Sequence, residues 1–136
     1  MELNWIAIIV AAIVPMIIGY VWYGPVFGKQ WQASLGFSDE EAKSGNMAAI
    51  FGISFVVSIL LAMGLSIVIE GLHHGESFHT FKHGALHGAM ISFLLSIPVL
   101  VSNSLFQKNN AKNILINVGY WMLTMAIMGG IVDMWQ

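Results

Sequence analysis

Four stretches of the chain are almost wholly apolar, and each ends where polar or turn-forming residues take over. They cover Asn4–Tyr23, Met47–Ile69, Lys82–Phe106 and Ile114–Trp135. About 20 apolar residues carry a helix across the hydrocarbon core of a bilayer, so each stretch predicts one transmembrane span. A helix satisfies its own backbone groups in lipid, and the strict alternation of a membrane β-strand is missing from all four. The expected fold is all-α. It is an integral membrane four-helix bundle, one domain over residues 1–136, with a short interfacial helix after the first span.

The first span has no basic flank before it and no small-residue cleavage site after it, which predicts a retained helix and not a removed signal peptide. It closes with "WYGPVFGKQW". Trp5 at one end and Trp22–Tyr23 at the other suit the two membrane–water interfaces. Gly24 is expected in the left-handed position that ends a helix, with Pro25 blocking continuation. Beyond it, Phe27, Trp31 and Leu35 recur every four residues, as in a short surface helix or in a loop with anchoring aromatics. Ser38 and Glu41 have the spacing of a capping box. The helix they start either runs into span two or breaks at Gly45–Asn46.

Small residues form rows inside the spans. Span one has Ala7, Ala11, Pro15 and Gly19, span two Ser54, Ser58, Ala62 and Ser66, and span three Gly84, Gly88, Ser92 and Ser96. Such rows let helices approach closely in lipid, where no hydrophobic force drives association. The simplest arrangement is a tight antiparallel hairpin of spans two and three with span one alongside. Pro15 and Pro98 are expected to disturb the carbonyls of Ala11 and Leu94 and to kink their helices.

Composition narrows the function. Charged residues make up 9% of the chain against about 25% in soluble domains. With five lysines and no arginine, the clustered cations of a nucleic-acid binder are missing. The lack of cysteine excludes disulfides, thiolate metal sites and cysteine nucleophiles. No hydrolase elbow, phosphate loop or dinucleotide fingerprint occurs. Lys29, Lys43, Lys108 and Lys112 lie in the first and third loops, and only Lys82 lies at the opposite side. Positive-inside bias therefore places loops one and three in the cytoplasm and both termini outside.

The one concentration of chemistry is "LHHGESFHTFKHGALHG". His79, His83 and His87 recur every four residues on one helical face, Glu76 falls near it, and Asp133 in span four reaches the same side of the membrane. His73, His74 and Glu70 belong to the turn and the end of span two. Imidazoles one turn apart with a carboxylate can hold zinc or copper, so His79, His83, Glu76, His87 and Asp133 are the candidate ligands, although no HExxH signature is present. A bis-histidine haem would need a second chain. Histidine also titrates near physiological pH, which allows a proton-linked role. The plain alternative is a set of interfacial rings with wet polar tips.

The segment "GYVWYGPVFGKQWQASLGFSDEE" and the closing "INVGYWMLTMAIMGGIVDMW" together resemble the domain-of-unknown-function family 1761 of small bacterial membrane proteins. The resemblance implies a four-helix protein of the bacterial inner membrane and brings no catalytic residues with it. The histidine run lies outside the resembling motifs. The function expected from the sequence is non-enzymatic: a lipid-embedded protein acting through homo-oligomerisation or as an accessory subunit of a membrane complex. The competing expectation is a histidine-based metal, haem or proton-linked site at the outer end of the bundle.

Overall fold

A computed structural model describes residues 2–72 and 78–136. Among them there is no strand, and four helices are long and apolar enough to cross a membrane: span one, Trp5–Val26; span two, Met47–Leu72; span three, Phe81–Phe106; and span four, Ala111–Met134. The chain is a multi-pass membrane protein.

Each span starts where a polar side chain satisfies one of the first free N–H groups. Asn4 opens α1 (Trp5–Val21) by accepting from the Ala7 amide, and Asn110 opens α7 (Ala111–Met134) by accepting from Asn113. Asn46 accepts from the Ala49 amide at the start of α4 (Met47–Leu72). α2 (Gly28–Leu35) ends at Gly36, whose φ of 70° is the left-handed value that glycine adopts without strain. α3 (Asp39–Ala42) opens on the Ser38–Glu41 capping box, with both reciprocal hydrogen bonds present. The backbone and hydroxyl of Ser38 hold the Glu41 carboxyl below its ordinary range. The chain then breaks before α4 at Gly45, φ 97°.

Two expectations about turns are corrected. Gly24 is not left-handed. Span one instead widens into a π-helical turn, Trp22–Val26, around Pro25, where the Phe27 amide bonds the Trp22 carbonyl at 2.8 Å. Only then does the chain turn into α2, so closely that a Cβ on Gly28 would lie 2.7 Å from the Tyr23 carbonyl oxygen. Span three is likewise α5 (Phe81–Ile91), a π turn Ser92–Ser96 and α6 (Ile97–Phe106), the Ile97 amide reaching back to Ser92. The wide turn lies next to Pro98, which has no N–H to give to Leu94.

The expected hairpin of spans two and three is not formed. Span three packs along span four and barely meets span two, while spans one, two and four pack against one another. Their shared core is Ile8, Ala11 and Val14 of span one, Ala62, Leu65 and Ile69 of span two, and Met125, Met128 and Val132 of span four. The reason lies in the glycines. A Cβ on Gly84 would overlap the Gly129 carbonyl oxygen, and one on Gly88 would overlap the Met125 carbonyl. Backbone meets backbone there because Gly84, Gly88 and Gly129 carry no side chain. Ser58, Ala62 and Ser66 are buried too, but their row serves the seam of spans one, two and four.

The end bearing loops one and three is tied together by polar bonds. Asn110 Nδ2 donates to the Ser34 carbonyl and Asn113 Nδ2 to Ser34 Oγ, both at 3.2 Å. Tyr23 donates to Asn117 Oδ1 at 2.6 Å, and Trp22 Nε1 to the Ile116 carbonyl at 2.9 Å. At the other end Asn4 Nδ2 donates to the Trp135 carbonyl, and Gln136 Nε2 donates to Ser66 Oγ at 2.7 Å.

Candidate functional site

Asp133 is the centre of the histidine cluster. It lies in the last turn of α7 with a side chain of 0% exposure. Gly84 opens the space above it, since a Cβ there would overlap the Asp133 Cβ, and the Phe81 ring covers Gly130 so closely that a Cβ on Gly130 would meet it at 2.5 Å. The glycine seam thus carries a carboxylate of one helix beneath the first turn of the next.

Two imidazoles reach this carboxylate from above. His79, in the extended residues before α5, places Nδ1 3.5 Å from Asp133 Oδ1, and His83, in the first turn, places Nδ1 2.9 Å from Oδ2. Thr80, between them, caps α5 by accepting from the His83 amide at 3.2 Å, which fixes the start of the helix and the direction of His83. An ionised carboxylate only accepts, so the 2.9 Å contact assigns the Nδ1 proton to His83. The two rings are 26% and 29% exposed, while the carboxylate is fully buried.

His87 does not join the carboxylate. Its Nδ1 lies 3.0 Å from the His83 carbonyl oxygen and its ring leans on that of His83, centroids 4.2 Å apart. A carbonyl also only accepts, so this Nδ1 carries the proton. Glu70 takes no part in the ion pairs of Asp133. Glu76, His73 and His74 lie outside the described residues. Among the described residues no group of three His, Asp or Glu side chains is arranged to hold a metal ion. The Nδ1 atoms of His79 and His83 instead face carboxylate oxygens, so a metal would have to be met through Nε2, with Asp133 orienting a ring from behind.

The family model described as "Protein of unknown function (DUF1761)" matches residues 6–132. The chain belongs to that family. No curated protein and no solved structure matches it. The DUF1761 match runs from the first turn of span one to Val132 in span four and takes in the glycine seam, and Asp133 lies one residue beyond it.

The i, i+4 repeat was enough to single out His79, His83 and His87. It could not rank them, because the ranking depends on which ring reaches span four. The useful signal was the pair Gly129–Gly130 one turn before Asp133, a bare backbone patch that marks where another helix comes close.

Proposed function

We propose that this DUF1761 protein is a non-enzymatic, proton-responsive membrane protein whose working element is the Asp133 carboxylate with His79 and His83. The observation that supports it is a fully buried carboxylate inside a span with two partly exposed imidazoles on it. Ionisable groups at that depth are expensive and mark functional sites by default. Protonated imidazoles hold an ionised carboxylate more strongly than neutral ones. Acid therefore clamps the residues before α5 onto the end of α7, and alkali loosens them.

Sensing fits the site better than transport. Directly below Asp133, the seam of Gly84, Gly88 and Gly129 is backbone against backbone, with no room for a file of water between the two helices.

The chain has no cysteine, so single labels can be introduced cleanly. Spin labels at positions 78 and 134 are expected to move closer between pH 8 and pH 5.5. Asp133→Asn should abolish that response while leaving the helices intact. A parent that does not respond, or an unchanged response in Asp133→Asn, would refute the reading. Zinc or copper on the same rings is the competing proposal. A pH response that disappears when the protein is stripped with a chelator would favour it.

We also propose that the lysine-rich end is cytoplasmic, following the positive-inside bias. Its support is that loops one and three meet at Ser34 and Asn110, so Lys29, Lys43, Lys108 and Lys112 share one side. Cysteines introduced at positions 43 and 110 should resist impermeant reagents added outside intact cells, and labelling there would reverse the assignment. Association with itself or with a larger complex is a separate proposal, supported by span three packing along span four and barely meeting span two.

A further inference from the structure

At the lysine-rich end, away from the histidines, spans one, two and four diverge around a cavity of about 820 Å³. This lies within the range of ligand pockets, about 300–1,000 Å³. Its deep end is formed by Pro15, Leu61 and Trp121, and its outer end by Tyr23, Trp31 and Met47. Met47 and Leu61 are 14 residues apart on α4, which is about 21 Å at 1.5 Å per residue, so the cavity has the length for a ring and a tail. None of its lining residues is charged. An ion brought there would lose its water and gain no counter-charge, so the cavity fits an uncharged occupant.

Two features of the walls select a ring over a plain hydrocarbon chain. The first is aromatic. Trp31, Tyr23, Tyr120 and Trp121 all line the cavity, and successive centroids in that order are 5.4, 5.1 and 5.0 Å apart. Aromatic side chains hold another flat ring by offset or edge-to-face contact. The second is a neutral hydrogen-bond donor. Asn117 Oδ1 accepts from Tyr23 at 2.6 Å, and Asn117 Nδ2 donates to Asn113 Oδ1 at 3.1 Å. The side-chain amide has two N–H groups, so one is left to be satisfied on a residue of the cavity wall. In apolar surroundings a donor without an acceptor is costly. The Tyr120 hydroxyl, by contrast, is given to the Pro15 carbonyl at 2.8 Å. We propose that the cavity binds an uncharged, lipid-soluble ring carbonyl compound of the quinone class. Its carbonyl accepts from Asn117 beside the Tyr23 ring, and its apolar tail runs past Tyr120 towards Leu61 and Trp121.

The test uses the full chain in micelles of an uncharged detergent. The probe is decylubiquinone, and the comparison is decylbenzene, which has the same tail and no carbonyl. Native mass spectrometry is expected to show one decylubiquinone retained per chain, favoured over decylbenzene about tenfold. Val57→Phe, on the cavity wall, should cut that retention about tenfold. Val56→Phe, beside it and outside the lining, should retain the probe like the parent. Ser54→Phe, another filling of the same space, replaces Val57→Phe if that variant loses its helical spectrum. Asn117→Leu, close in size and without the donor, should lower decylubiquinone retention to the level of decylbenzene and leave decylbenzene unchanged. A parent that retains no decylubiquinone, as a cavity filled only by bulk lipid would, overturns the proposal. So does equal retention of the two compounds by the parent, unchanged retention in the filled variants, or an equal loss of both compounds in Asn117→Leu. None of these outcomes bears on the histidine site.

Discussion

Alanine at Gly84 is expected to unseat span three from span four. The added methyl would overlap the Gly129 carbonyl oxygen and the Asp133 Cβ, and neither can turn aside as the end of a long side chain could. Overpacking a tight core costs about 1–3 kcal/mol, and a backbone obstacle belongs at the upper end of that range. Lipid does not compensate, since contact between these helices rests on close packing and not on exclusion of water. Unfolding titrations in detergent should show a loss of about 3 kcal/mol, and Gly129→Ala should behave alike because its Cβ would overlap the Gly84 carbonyl oxygen. The control is Gly64→Ala. Nothing lies within 4 Å of a Cβ there, and the helix preference for alanine makes it neutral or slightly stabilising, by up to about 1 kcal/mol. Similar stabilities for Gly84→Ala and Gly64→Ala would mean that the seam is loose.

The second large effect is expected from removing both imidazoles. With His79 and His83 changed to alanine, Asp133 keeps its burial and loses two partners. Breaking a buried charge pair costs about 3–5 kcal/mol. Rings that are 26% and 29% exposed forgo part of that, so about 2 kcal/mol is the expected loss near pH 5.5. The sign with pH is definite. Under the proposed clamp the penalty grows on acidification, because protonated imidazoles hold the carboxylate more strongly than neutral ones. His83→Gln, whose amide can still donate, should recover part of the stability. The measurement is the difference in unfolding midpoint between parent and variant across pH 5 to 8. A loss of constant size over that range would show that the rings only fill space.

The clearest successes of sequence reasoning are the elements themselves. Four apolar stretches could only be spans, because lipid leaves a backbone of that length no other way to satisfy its hydrogen bonds. The Ser38–Glu41 cap was legible because both partners lie within one turn. Turn geometry was harder to read. Gly24–Pro25 looks like a helix stop, yet a widened turn carries the helix on to Val26, since one missing N–H can be absorbed by bonding one residue farther.

Pairing of helices was beyond the sequence alone. Small-residue rows occur in spans one, two and three, and each row specifies a face that can be approached without saying which helix approaches it. The choice fell to span four because its Gly129 lies opposite Gly84 and Gly88, and only bare backbone on both sides permits that distance. The same pairing decided the chemistry. Residues 79, 83 and 87 share a helical face by their spacing, but Asp133 is about 50 positions away from His83, and no local rule connects them. The number and composition of the spans and the histidine face follow from local periodicity and the cost of exposing backbone to lipid. The seam, the buried carboxylate and its two imidazoles follow from close contact between distant segments, which only the folded chain decides.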